Sequence, residues 1–301
     1  IKTMFRDMIK FNAVSLAAVP LVAEMLLGNL ERVAQSEGLA TLSNEPKKNK
    51  FSIFKRKIAS AGVSAKFIEV KEKIIGRLSV LICGGAKLDE SVSRKLSLFG
   101  INVLEGYGIT ECSPLISVNR NDDNLIGSVG KILPGVLLKI CDGEILVSGK
   151  NIMIGYYNDD ESTAESIKDG WFYTGDLGFV DDNGFLHITG RKKNLIVLKN
   201  GKKISPEEIE EYVSKIPMVS EVMAYGTSTG SMDNDIRLAV MIYPDPLLTA
   251  DMSVYEIIES IQKDIDKINA QNPTYKQIQM VNIREKSFEK TSLNKIKRQI
   301  L

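Results

Sequence analysis

Tyr173-Thr174-Gly175-Asp176-Leu177-Gly178, followed one hairpin later by Gly190-Arg191-Lys192-Lys193-Asn194, brings a carboxylate and a guanidinium close together in the chain, each beside a glycine. An ionised Asp has two acceptor oxygens and suits a vicinal diol such as ribose. The planar Arg fork suits the same sugar or a nearby phosphate. A hairpin salt bridge between Asp176 and Arg191 is the competing reading of the same two residues.

Around this hairpin, Gly127 to Ile188 reads as short alternating strands broken at Gly130-Lys131, Pro134-Gly135, Asp142-Gly143 and Asp182-Asn183-Gly184, a small β-barrel or sandwich. Upstream, Leu78–Cys83 is an apolar strand entering Gly84-Gly85-Ala86. Asp89–Leu98 is an amphipathic helix, and Asn102–Glu105 a strand entering Gly106-Tyr107-Gly108. That alternation predicts an α/β sheet with ligands at the carboxyl ends of its strands. Residues 4–35 read as helical throughout, with Pro20 in the first turn of a second helix.

Downstream, Ser205-Pro206-Glu207-Glu208 is a helix start with Ser as cap. Strands at Val219–Tyr225, Arg237–Tyr243 and Met280–Arg284 and a helix at Ser253–Ile268 complete a compact α+β domain. The predicted divisions are 1–126 (α/β), 127–191 (barrel-like) and 192–301 (α+β).

The 301 residues carry a net charge of +1, which gives no bias toward nucleic acid. Cys83, Cys112 and Cys141 have no paired spacing, so neither a disulfide framework nor a zinc site is expected, and a reducing cytoplasm is the natural compartment. His187, the single histidine, is assigned no chemistry. The apolar run Val14–Leu27 contains Pro20 and Glu24 and is too short to span a bilayer, so a buried helix pair is expected there. Lys47, Lys48, Lys50, Lys55, Arg56 and Lys57 read as a solvated loop or helix face, with peripheral contact to anionic lipid as the rival reading.

Two glycine patterns mislead. Gly143 to Lys150 has one residue too many for a P-loop and lies on a hairpin, and Gly106-Tyr107-Gly108 lacks the third glycine of a dinucleotide fingerprint. In Gly106-Tyr107-Gly108-Ile109-Thr110-Glu111, Tyr107 instead offers an aromatic face for a purine. Thr110 adds a hydroxyl and Glu111 the hard carboxylate that Mg2+ prefers. A strand-end turn with a surface acid is the plainer alternative. Lys290, Lys295, Lys297 and Arg298, taken alone, are a basic tail.

Taken in order, Gly106–Glu111, Tyr173–Gly178, Gly190–Asn194 and Lys290-Thr291-Ser292-Leu293-Asn294-Lys295 resemble the adenylate-forming family, and within it the fatty acyl-CoA synthetases. The resemblance covers essentially the whole chain and implies the end of a large adenylate-forming domain followed by a small mobile one. It implies that Gly85, Ala86, Gly106, Tyr107 and Gly108 line an adenine slot, that Thr110 meets phosphate, and that Glu111 binds Mg2+. Asp176 and Arg191 would hold ribose, and Lys295 would serve adenylation, although Asn294 stands where the family usually has glycine.

Lys193 aligns with the family's interdomain hinge and Gly201 with the loop of the CoA step. The implied substrates are a fatty acid, favoured as long-chain by Gly184–Glu210, with ATP and coenzyme A. A carrier protein as acceptor and a non-catalytic adenylate-binding module are the alternatives. The start at Ile1 and the want of a Ser/Thr/Gly-rich phosphate loop create the expectation of a longer parent chain, whose missing half would leave apolar surface prone to self-association.

Overall fold

The computed structural model describes residues 3–39, 65–228, 236–291 and 296–298. Lys47–Lys57 and Lys295 therefore lie outside the described residues. The chain divides into two compact units: Ile1–Lys139 with Leu146–Tyr173 and Val180–His187, and Ile140–Ile145 with Thr174–Phe179 and Ile188–Leu301.

The first unit begins with α1 (Met4–Lys10), β1 (Ser15–Ala18) and α2 (Pro20–Ser36). Helix α3 (65–75), β2 (Val80–Cys83), α4 (Glu90–Leu98) and β3 (Asn102–Gly108) follow, and then β4 (Leu115–Val118) and β5 (Lys131–Ile132). The five strands form one sheet in the order β1-β2-β3-β4-β5. β1, β2 and β3 run parallel, with Ala18 opposite Cys83 and Cys83 opposite Glu105.

Residues 15–18 correct the all-helical reading of the N-terminal segment. Ser15-Leu16-Ala17-Ala18 has ordinary helical propensity, but pairing with β2 satisfies its backbone in the sheet, and such tertiary pairing overrides a weak local preference. Pro20 does open α2, where its missing N–H costs nothing. Asp89 caps α4 by accepting the Ser91 N–H at 2.7 Å. Leu26 and Leu30 of α2 and Leu96 of α4 pack with Leu81 and Val103 of the sheet, and Phe67 meets Phe99 edge-to-face at 4.9 Å between centroids.

A second sheet has the order β10-β9-β7-β6, from β6 (Val136–Cys141), β7 (Glu144–Gly149), β9 (Trp171–Val180) and β10 (Leu186–Arg191). Before β9 come α5 (Asp160–Ser166), which periodicity did not announce, and β8 (Ile167–Lys168), which pairs with β9. The Gly143–Lys150 pattern lies on β7 and the turns at its two ends, as its hairpin reading requires. His187 bridges the Gly127 carbonyl and Asp181, each at 3.1 Å, a structural tether.

The second unit ends in β11 (Ile196–Val197), β12 (Lys203–Ile204), α6 (Pro206–Val213), β13 (Val219–Ser228), β14 (Ile236–Pro244), α7 (Val254–Gln271) and β15 (Met280–Ile283). β13 and β14 are antiparallel, and β15 joins β14 in parallel. Ile257, Ile261 and Ile265, one helical stripe of α7, pack with Ile209 and Val213 of α6 and with Val222, Val240 and Ile242 of the sheet. Ser253 and Glu256 form a reciprocal capping box on α7. The expected Ser205 cap on α6 is corrected. Its hydroxyl lies 2.8 Å from both the Thr189 carbonyl and Glu207 Oε2, offers its one proton to these two acceptors, and caps no helix N–H.

Among the described residues no helix is long and apolar enough to cross a membrane. The three cysteines are free, and among the described residues no group of three or more His, Cys, Asp and Glu is placed to hold a metal ion.

Candidate nucleotide site

In the first unit the site residues are set by a change of partner along β3. The strand runs parallel to β2 as far as Glu105, then pairs antiparallel with β4, with Gly106 opposite Val118, Tyr107 opposite Ser117 and Gly108 opposite Leu115. The sequence reading ended the strand at Glu105, whereas Gly106-Tyr107-Gly108 continues it. Glycine is what allows this: a Cβ on Gly108 would lie 2.1 Å from the Pro114 carbonyl oxygen, and one on Gly106 3.3 Å from that of Ser117. A Cβ on Gly84 would stand 3.4 Å from the Gly106 carbonyl, so the Gly84-Gly85-Ala86 loop abuts this strand. Tyr107 is half-buried beside it.

Past Ile109 the chain makes a single 3-10 turn, Thr110–Cys112, closed by Ser113 in the left-handed region at φ +57°. Thr110 is exposed and Glu111 half-buried. A segment after β7 straps this turn. The Met153 N–H donates to the Glu111 carbonyl at 2.8 Å and the Asn151 amide to the Cys112 carbonyl at 3.0 Å. The Tyr156 hydroxyl donates to Glu111 Oε1 at 3.0 Å. Sequence reasoning missed Tyr156, which sits between the exposed Ile154 and Tyr157 without any pattern to mark it.

Glu105, next to Gly106 on β3, is buried. Burial pushes its carboxyl up to about 7, against a hydrogen bond from the Leu88 N–H and the charge of Lys87.

In the second unit, Asp176 lies on β9 with its side chain 5% exposed, and its Oδ1 is 2.7 Å from Arg191 Nε at the end of β10. The salt bridge foreseen as the competing reading is present. Thr174 shapes the approach: its hydroxyl donates to the Ile145 carbonyl at 2.8 Å and accepts the Asp176 N–H at 3.1 Å. Gly175 between them is left-handed, at φ +69°.

Glu144, a buried carboxylate absent from the sequence reading, accepts the Gly175 N–H at 3.1 Å and lies 2.7 Å from Lys192 Nζ. A signal was available: an acid at the head of the apolar run Ile145-Leu146-Val147 needs a partner if it follows the run inward.

Lys193 is exposed in the 3-10 turn Lys192–Asn194, and Asn194 donates to Glu207 Oε1 at 2.6 Å. Gly201 is exposed in the turn joining β11 to β12, at φ +76°. The described residues flanking Lys295 belong to no solvated tail. Lys290 pairs with Ile296 as a β-bridge, and its Nζ is 2.7 Å from Glu221. Arg298 reaches both oxygens of Glu210, at 2.8 and 2.6 Å, and the Ala224 carbonyl at 3.1 Å. Burial lifts the Glu210 carboxyl to about 7 in spite of that cation.

Two family models match the chain: one described as AMP-binding enzyme over residues 1–157, and one described as AMP-binding enzyme C-terminal domain over residues 193–301. The long-chain-fatty-acid–CoA ligase FadD15 of Mycobacterium bovis is 40% identical over 152 residues, 50% of this chain and 25% of that protein. The long-chain-fatty-acid–CoA ligase of Salmonella typhimurium is 40% identical over 181 residues, 56% of this chain and 32% of that one. Thus the chain spans about a quarter to a third of the length of these curated relatives. Among solved structures, o-succinylbenzoate CoA synthetase of Bacillus subtilis with its acyl-adenylate intermediate superposes with a TM-score of 0.69 at 20% identity. The match takes in 98% of this chain and 52% of that one. At that identity the likeness speaks for the fold.

Proposed function

The chain belongs to the AMP-binding enzyme family, and from that premise we propose that it serves an acid–thiol ligase converting a long-chain fatty acid, ATP and coenzyme A into acyl-CoA, AMP and pyrophosphate. In the first half-reaction a carboxylate oxygen attacks the α-phosphorus of ATP and the bond to pyrophosphate breaks. In the second, the CoA sulfur attacks the acyl carbonyl, the thiol proton is released, and AMP leaves. The observation that carries this reading is the buried Asp176 carboxylate held against Arg191. A fixed acceptor beside a donor fork is what a ribose diol needs.

Tyr107, flanked by Gly106 and Gly108 and backed by Gly85 and Ala86, has the aromatic surface for adenine. Thr110 would hydrogen-bond phosphate. Glu111 beside Thr110 is an all-oxygen donor set that fits Mg2+, and that ion, when bound, neutralises phosphate charge. Lys295 is assigned to the α-phosphate, where a cation lowers the cost of the charge that builds in the transition state. Lys193 is assigned as the pivot of the small domain between half-reactions, and Gly201 as the loop residue nearest CoA. Support for a fatty acid comes from the two 40%-identical relatives, both named long-chain-fatty-acid–CoA ligases. The test is palmitate-dependent exchange of pyrophosphate into ATP with Mg2+, followed by palmitoyl-CoA formation on adding CoA. Exchange driven equally well by short or aromatic acids would remove the long-chain assignment.

A further inference from the structure

Glu144 heads strand β7 with a side chain 7% exposed, and Ile145, Leu146 and Val147 after it are buried as well. A carboxylate at that depth is retained only if donors meet it. Its two arms reach two specific places: Oε1 takes the N–H of Gly175, the residue before Asp176, and Oε2 lies against the ammonium of Lys192, the residue after Arg191. The left-handed backbone at Gly175 makes the direction of that peptide a sensitive quantity, since it sets where the Asp176 side chain begins. One acid on a third strand thus holds β9 at Gly175 and the turn that leaves β10 at Lys192.

We propose that Glu144 is a positioning residue of the nucleotide site, fixing Asp176 through the Gly175 amide and Arg191 through Lys192, so that ribose recognition depends on it although it touches no ligand. The proposal rests on the reading of Asp176 and Arg191 as ribose ligands. Its signature is the preference for ATP over 2′,3′-dideoxy-ATP, measured as binding by calorimetry and as a KM ratio in pyrophosphate exchange. General loss of stability does not change that ratio.

Asp176→Ala is the reference and should abolish the preference. Glu144→Ala removes both arms and should cut it about tenfold. Glu144→Gln keeps an acceptor for Gly175 but no charge for Lys192, and should cut it about threefold. Lys192→Met, at a side chain 60% exposed, loses one arm without burying anything new and should resemble Glu144→Gln. If Glu144→Ala does not fold, the last two variants decide. A normal ratio in the Glu144 and Lys192 variants, with Asp176→Ala defective, overturns the role of Glu144 alone. A normal ratio in Asp176→Ala removes the ribose reading, and the positioning role with it.

Discussion

Asp176 Oδ1 and Arg191 Nε stand 2.7 Å apart, with the carboxylate 5% and the guanidinium side chain 47% exposed. The acceptor is desolvated and fixed while the cation keeps one side toward solvent, which is preorganisation of the less mobile partner. Asp176→Ala should therefore weaken AMP and ATP binding by about 2–4 kcal/mol, the scale of a charged hydrogen-bond set removed from a buried site. Calorimetry showing wild-type nucleotide affinity would take Asp176 out of the site.

Tyr156 reaches Glu111 from a segment that also holds the Glu111 and Cys112 carbonyls. Tyr156→Phe deletes one hydrogen bond to the carboxylate and leaves the strap in place. The metal concentration for half-saturation should rise about threefold to tenfold, with little change in melting temperature. Mn2+ binding followed by electron paramagnetic resonance with ATP present reads this apart from turnover. An unchanged Mn2+ affinity would leave the tyrosine a packing residue.

Lys295 and Lys193 are assigned to opposite half-reactions, so their variants should separate. Lys295→Ala should abolish acyl-adenylate formation while sparing thioester formation from supplied acyl-AMP, because the charge matters only where the α-phosphate is attacked. Lys193→Pro fixes φ in the exposed turn and should hinder the second step more than the first. Equal losses in both half-reactions for either variant would sink its assignment.

Much of this candidate site could be proposed from the chain because its motifs are local. Gly106–Glu111 and Tyr173–Gly178 each carry several functional groups within one strand or turn, and glycine marks where backbone or ligand comes close. What escaped depends on tertiary partners. Glu144 meets the Gly175 amide across neighbouring strands, and Tyr156 meets Glu111 across 45 residues of chain. β1 escaped for a related reason, since Ser15–Ala18 becomes a strand only because β2 offers a parallel edge. The continuation of β3 through its glycines was hidden because β4, its new partner, lies after the turn. The anchoring of Lys290 and Arg298 by Glu221 and Glu210 was likewise invisible in a run that reads as a basic tail.

Glu105 precedes Gly106 on β3, and its carboxyl is pushed up to about 7, chiefly by burial. The Leu88 N–H and Lys87 oppose the shift and Glu90 adds to it, while the facing Cys83 thiol, raised to about 12, stays protonated through the neutral range. Since the folded value lies above the unfolded one, the folded chain binds more protons than the unfolded chain between about pH 4.5 and pH 7. The contribution of Glu105 to stability is thus fully present below that window and is lost as pH rises through it. The change is about 3 kcal/mol. Glu105→Gln keeps an acceptor for Leu88 without a charge to desolvate. It should be close to neutral at about pH 5, stabilising at about pH 8, and flatter in between. Urea unfolding at the two pH values measures this. Stability curves that run parallel for the wild type and Glu105→Gln would mean that Glu105 ionises in the fold as it does in the unfolded chain.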